Sequence, residues 1–191
     1  MDFDVIFIAG PQGSGKGTQG KKLADKLGFL FFGMGATLRE IKEEHSPLAA
    51  QLSGVDGGTL LSDAVIIEIL KDRLPRIPAG QKIIFDGVPR RLGQADFLVS
   101  YLRERGYKSI ATIFLDLPRE ESVKRLLFRA KHEDRVDDTP EAIETRFKFY
   151  DVEMKPTLDY LRHETAFFDI DGSPSADEVE KGIYAALGIA S

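Results

Sequence analysis

The residues best equipped for chemistry form one run, Gly10-Pro11-Gln12-Gly13-Ser14-Gly15-Lys16-Gly17-Thr18. It carries the G-x-x-x-x-G-K spacing of a phosphate-binding loop. Glycines let the backbone curl until several N–H groups converge on one anion. A helix predicted from Lys16 to Leu27 adds the positive end of its dipole, and Lys16 adds a full charge. The apolar strand predicted at Val5–Ile8 comes just before, so the loop has the strand–loop–helix setting its mechanism needs. In most ATPases and GTPases a Ser or Thr directly after the lysine holds Mg2+. Here Gly17 intervenes before Thr18, which disfavours those classes.

A second group of candidates is basic. Arg125 and Arg129 are spaced i, i+4 on one predicted helix. Like charges so placed cost a bare helix a few tenths of a kcal/mol, roughly, and a bound polyanion reverses that cost. Arginine suits such a site because its planar fork pairs phosphate oxygens bidentately and keeps its charge. Asp86 closes an apolar strand, Lys82–Phe85, and so falls at the usual ligand crevice of an open α/β sheet.

Positioning these groups requires a scaffold, and the apolar pattern predicts one. Short continuous apolar runs at Val5–Ile8, Leu30–Phe32, Lys82–Phe85, Ile110–Leu115 and Ala166–Ile170 suit strands buried on both faces of a parallel sheet. Helix-period stripes lie between them: Ala95, Leu98, Val99, Leu102; Val123, Leu126, Leu127, Ala130; and Ala176, Val179, Ile183, Ala186, Leu187. Ser175 reads as an N-cap and Gly188 as a stop for the last. Thr139-Pro140-Glu141 opens a long helix towards Arg162, which Pro156 is expected to kink or split. Alternation of this kind predicts βαβ units in a doubly wound sheet. Gly33 to Ser62, with short helical pieces at Leu38–Glu44 and Pro47–Leu52, and the polar stretch Lys131 to Asp138 stand outside it as candidate lobes.

The whole-chain numbers set limits. The chain has 191 residues, 26 Lys+Arg against 31 Asp+Glu, a net charge of -5 and no cysteine, with 42% of residues hydrophobic. That length suits one domain with small lobes. An acidic chain is a poor nonspecific binder of nucleic acid or anionic membrane, so positive charge must be concentrated locally. Without Cys there is no disulfide, thiol nucleophile or cysteine zinc site. The acidic start Met1-Asp2-Phe3-Asp4 lacks the basic opening of a secretory signal, and no run approaches the roughly 20 apolar residues of a membrane span. A cytoplasmic location is expected. The three histidines, His45, His132 and His163, read as surface residues.

Several motifs together carry a family resemblance. Gly10 to Gln19 resembles the phosphate loop of adenylate kinases and related nucleoside monophosphate kinases. Asp86-Gly87-Val88-Pro89-Arg90 is similar to the family's Asp-Gly-aromatic-Pro-Arg motif, with Val88 for the aromatic residue. Arg135-Val136-Asp137-Asp138 is similar to the short lid, Arg146 follows at the matching helix position, and Asp171-Gly172 also fits. The resemblance implies a P-loop NTPase-like α/β fold with a five-stranded parallel sheet flanked by helices. It divides the chain into a core (1–32, 63–128 and 140–191), a small monophosphate-binding lobe (33–62) and a short lid (129–139).

It also implies roles. Gly13, Ser14, Gly15, Lys16, Gly17 and Thr18 hold ATP phosphates, while Arg125 and the backbone at Gly172 lie against the ATP base. Met34, Arg39, Leu61, Gly87, Arg90 and Gln94 line the monophosphate site, together with Arg135 and Arg146. Lys16, Arg90, Arg129, Arg135 and Arg146 close on the transferring group. Asp86 orients water around the Mg2+ that accompanies ATP. Asp137 and Asp138 either latch the lid or are inert surface acids. No general base is required, because a monophosphate oxygen is already ionised. The short lid without Cys implies no zinc.

The implied activity is ATP + AMP ⇌ 2 ADP, by a monomer whose partners are the nucleotides ATP, AMP and ADP. Gln94, an amide able to donate and accept to adenine, favours AMP. Another monophosphate kinase (for UMP, CMP or GMP) and a non-catalytic nucleotide-binding relative stand as alternatives. They are motivated by Gly33-Met34-Gly35-Ala36, where the family usually has Ser-Thr-Gly-Asp. Ser62 in place of a proline and Asp134 in place of a glycine are further departures.

Overall fold

The computed structural model describes residues 2–44, 47–52, 61–132 and 139–190. In chain order the elements are β1 (Val5–Ala9), α1 (Lys16–Leu27), β2 (Leu30–Gly33), α2 (Met34–Glu43), α3 (Pro47–Gln51) and α4 (Asp63–Arg73). There follow β3 (Ile83–Asp86), α5 (Leu92–Glu104), β4 (Ile110–Asp116), α6 (Arg119–His132), α7 (Pro140–Glu164), β5 (Ala166–Asp171) and α8 (Ala176–Leu187). The five strands make one sheet in the order β2-β3-β1-β4-β5, and every pairing is parallel. The register sets Ile8 beside Asp86 and Gly33 beside Asp86. The carboxylate that ends β3 therefore stands next to the exit of β1 into the phosphate loop.

Side-chain alternation sends each strand's apolar residues to two cores. Val5, Phe7, Ile83 and Phe85 face a core shared with Ile69 and Leu70 of α4, Leu98 and Val99 of α5 and Leu161 of α7. Phe85 lies at the centre of an aromatic row, with ring centroids 5.5 Å from Phe7 and 5.2 Å from Phe32. Ile6, Ile8, Ile84, Ile113 and Leu115 face the other core with Leu23 of α1 and Val179, Ile183 and Leu187 of α8. Each such buried side chain contributes about 1.5–3 kcal/mol. This gives the site a stiff floor.

The outer strands differ from the expectation of two-sided burial. β2 and β5 are the sheet edges, Leu30 is exposed, and most of β5 is half-buried or open. In β5 the Phe167 ring is instead roofed by a cation. Arg162 lies 3.9 Å from the Phe167 ring centroid while also pairing with Asp169 at 2.6 Å.

The helix ends follow local chemistry. Ser175 and Glu178 form a reciprocal capping box and Gly188 closes α8 in the left-handed region. Thr139 caps α7 by accepting from the Ala142 N–H. Ser62, where the family pattern has proline, accepts from the Val65 N–H and caps α4.

Three details correct the sequence reading. α7 runs unbroken through Pro156. The carbonyl that proline strands is that of Val152, a residue 71% exposed, which leaves it open to hydration. Leu127 does not join its helical stripe and is exposed; Leu126 alone of that set is sealed, against Ile143 and Phe147 of α7. α2 begins at Met34, four residues before the expected start, with Met34 and Ile41 buried.

Candidate active site

The phosphate loop is shaped by close approaches that only glycine permits. Gly10 has φ +143°, and a Cβ there would come within 2.5 Å of the Leu115 carbonyl oxygen of β4. A Cβ on Gly17 would lie 3.3 Å from Asp86 Oδ2. A Ser or Thr directly after Lys16 would press its Cβ on that carboxylate, which would have to shift by a few tenths of an ångström. α1 starts at Lys16 with Gly15 as its N-cap and no side-chain cap, so its first N–H groups stay open to an anion.

Two other helices brace the loop. Ser122 Oγ of α6 donates to the Gln12 carbonyl, and Gln12 Nε2 donates to the Ile143 carbonyl of α7 at 3.0 Å. Within this frame Ser14 Oγ and Gln12 Oε1 are buried without hydrogen-bond partners. An unpaired buried polar atom costs about 1–3 kcal/mol, which a bound phosphate and its waters would offset.

Charge is concentrated on this floor. Lys16, Gly87, Arg90 and Arg146 line one cleft with Gln12, Phe149 and Met154. Lys16 Nζ donates to the Pro11 carbonyl at 2.6 Å. Burial pushes the Lys16 ammonium down to about 8; Asp86 opposes the shift, and Arg90 and Arg129 add to it. Burial lowers Arg90 as well, against the attraction of Asp86 and with the repulsion of Arg146. Arg90 is nevertheless exposed as a residue, so water screens its head and it stays a cation.

A pH dependence follows with a definite sign. The unliganded lysine gives up its proton as pH rises through 8, whereas a bound polyphosphate favours the charged form. Binding above pH 8 must therefore take up a proton, and affinity for tripolyphosphate should fall about tenfold between pH 7 and pH 9. Calorimetry in two buffers of different ionisation enthalpy measures both the affinity and the uptake. A flat profile in the unsubstituted protein, or a slope retained in Lys16→Met, contradicts it.

The other sequence candidates are distributed as follows. Arg125 reaches from α6 to the turn after β5, donating to the Gly172 carbonyl at 2.9 Å and the Ser173 carbonyl at 2.7 Å, with Glu121 holding its Nε. Arg125 and Gly172 thus form one shelf beside the loop; a Cβ on Gly172 would lie 3.6 Å from the Ser14 carbonyl oxygen. A Cβ on Gly87 would touch both Met34 and Arg90 Nη2 at 3.5 Å, so these three meet. Arg129 is half-buried and close enough to Lys16 to shift its titration. Arg146 is half-buried, its Nε donating to the Ala142 carbonyl at 3.2 Å.

Thr18 is exposed at the mouth, and Leu61 is half-buried against the core. Arg39 is exposed on α2, with its Nη1 over Gly35. Gln94 is 4% exposed on α5, with both amide ends engaged. Arg135, together with Asp134, Asp137 and Asp138, lies outside the described residues, as does His45.

Sequence reasoning missed Gln12, Phe149 and Met154 as cleft residues. The last two lie three and eight positions after Arg146, on the same helical face, so the spacing held a usable signal. Nothing local pointed to Ser122.

The donor set also indicates what metal chemistry fits. Mg2+ keeps most of its waters and is held by one or two carboxylates plus substrate phosphates. One carboxylate, Asp86, beside the phosphate loop matches that pattern. Among the described residues no cluster of three or more His, Cys, Asp or Glu side chains forms a metal cage.

Comparison with known proteins agrees with this geometry. The sequence model of the family described as adenylate kinase matches residues 8–166. The chain is similar to an adenylate kinase of Maricaulis maris, 38% identical over 183 residues covering 95% of this chain and 97% of the relative. It is 37% identical to an adenylate kinase of Thermus thermophilus over 186 residues, 97% of each chain. A third adenylate kinase, from Stenotrophomonas maltophilia, is 35% identical over 95% of this chain and 98% of its own length.

Proposed function

The chain belongs to the adenylate kinase family, and on that premise we propose how an ATP:AMP phosphotransferase works in this cleft. The observation that carries the reading is the gathering of Lys16, Asp86, Arg90 and Arg146 around a phosphate loop at the C-terminal ends of β1 and β3.

An oxygen of the AMP phosphate attacks the γ-phosphorus of ATP, the bond to the β,γ-bridging oxygen breaks, and two ADP result. Such a transfer needs alignment and charge neutralisation rather than a protein nucleophile. The amides of Gly13 to Thr18 and the Lys16 ammonium hold the ATP phosphates. Arg125 and the Gly172 backbone shelve its base. Arg39 and Arg90 grip the AMP phosphate, with Met34, Leu61 and Gly87 shaping the pocket and Gln94 reading the base. Arg129, Arg135 and Arg146 spread over the three equatorial oxygens of the moving group. Bound Mg2+ would neutralise phosphate charge, and Asp86 would orient its waters.

The segments 33–62 and 129–139 act as lobes that close over the two nucleotides on the core, excluding water from the transfer. The protein works as a monomer in the cytoplasm, a reading the family resemblance supports. No helix among the described residues is long and apolar enough to cross a membrane.

A monophosphate panel with Mg-ATP as donor tests the assignment. AMP should exceed UMP, CMP and GMP in kcat/KM by about tenfold or more, and another base in first place would transfer the reading to that nucleotide. A dinucleotide of two adenosines joined by five phosphates should raise Tm further than ATP does. Equal shifts would argue against a two-nucleotide site.

A further inference from the structure

Gln94 does not hang freely in the pocket. Its Oε1 accepts from the Arg90 backbone N–H at 2.9 Å, and its Nε2 donates to Asp63 Oδ1 at 2.9 Å. Asp63 is the first residue of α4, whose cap is Ser62. The same Asp63 oxygen accepts from Arg91 Nη1 at 3.4 Å. Arg91 in turn lies 4.6 Å from the centroid of Phe149, a wall of the cleft, and 3.7 Å from Glu153 of α7.

These partners leave the amide one orientation. A backbone N–H can only donate and an ionised carboxylate can only accept. Turning the amide over would set its NH2 against the Arg90 N–H and its oxygen against the Asp63 carboxylate, two repulsive contacts in a site that is 4% exposed. In the permitted orientation Oε1 keeps one lone pair and Nε2 keeps one hydrogen. That spare pair is complementary to a base offering an amino donor beside a ring-nitrogen acceptor, as adenine does. A 6-oxopurine in the same pose offers the reverse, a carbonyl acceptor beside a ring N–H donor, and meets like against like at both ends. An amide free to rotate would serve either base.

We infer that Asp63 sets the preference for a 6-amino over a 6-oxo purine monophosphate by holding the Gln94 amide in one orientation, so that it is a positioning residue for base selection. The inference rests on the reading that Gln94 contacts the base. Arg91 supports the arrangement by sharing that Asp63 oxygen and tying it to α7.

The test is the AMP-to-IMP ratio of kcat/KM, with Mg-ATP as donor, in the unsubstituted enzyme, Asp63→Asn and Gln94→Ala. Asparagine keeps the shape of Asp63 but can donate as well as accept, so it lifts the carboxylate's demand for a donor and leaves the Arg90 N–H as the remaining constraint on the amide. The ratio should fall about threefold or more in Asp63→Asn, and part of that fall should be a rise in kcat/KM for IMP. General damage to the fold lowers both substrates together and cannot produce that rise. In Gln94→Ala the ratio should also fall, with no gain on IMP. If Gln94→Ala changes the ratio and Asp63→Asn does not, the inference is overturned while base reading by Gln94 stands. If neither changes it, base reading itself is wrong and the inference goes with it. Should Asp63→Asn fail to fold, Asp63→Ser, whose hydroxyl both donates and accepts, carries the same comparison, and an unchanged ratio there is equally decisive.

Discussion

Replacing Lys16 with methionine should lower kcat/KM by a factor on the order of 10³, about 4 kcal/mol of transition-state stabilisation, while leaving the nucleotide-free protein at least as stable as before. The first half follows from position. Lys16 begins α1, lines the cleft and holds its ammonium against the Pro11 carbonyl of the loop. Methionine keeps the length of the stem and removes the charge.

The second half follows from the ammonium's surroundings. Burial holds its pKa near 8 in the folded protein, against about 10.4 in an unfolded chain. Between these values the unfolded state binds the extra proton, so this group makes stability rise as pH increases from 8 to 10.4; below pH 8 it works against folding. The Tm of Lys16→Met should therefore equal or exceed that of the unsubstituted protein at pH 7, with the difference shrinking towards pH 10. Thermal melts at several pH values and steady-state kinetics check both halves. A variant that melts well below the parent at pH 7 would show that the lysine supports the fold, and a loss of activity under tenfold would remove it from the transfer step.

The second large effect is expected at Arg146. Arg146→Lys should lower kcat by a factor on the order of 10² to 10³, because an ammonium keeps the charge but lacks the bidentate fork that spans two phosphate oxygens. KM for both nucleotides should change only a few-fold, since the interaction strengthens chiefly as the phosphoryl group moves. The helix should tolerate the change. α7 is secured by the Thr139 cap and by Ile143, Phe147 and Leu161, and the bond from Arg146 Nε to Ala142 is local to its own turn. A kcat within tenfold of the parent would place Arg146 outside the reacting centre.

The parts of this molecule that were readable from sequence are those whose causes are local. The run Val5–Ile8 followed by glycines and Lys16 could make little else than strand, loop and helix. The box at Ser175 and Glu178 and the stop at Gly188 needed only their own neighbours. The nearness of Lys16, Asp86, Arg90 and Arg146 was legible because the motif spacing marks residues that the fold gathers in one place. What escaped were contacts joining distant elements: Ser122 to Gln12 across 110 positions, Gln12 to Ile143 across 131, and Gln94 to Asp63 across 31.

Pro156 misled for the complementary reason. A proline breaks a helix when its stranded carbonyl has no partner, and exposure, a property of the folded whole, decides that. The same holds for β2 and β5. Their apolar runs resemble those of central strands, and only the strand order reveals them as edges.

The cation over the β5 edge matters once many copies of the chain share a solution. An open sheet offers a row of unpaired N–H and C=O groups at each side, a template on which another chain can continue the ladder. In β5 a carboxylate, Asp169, sits in the middle of the apolar run, paired with Arg162, while the same guanidinium covers Phe167. A second chain pairing along β5 would have to strip water from that ion pair and displace the arginine from its ring. The arrangement that makes the edge tolerable to solvent thus also resists fibre-like growth.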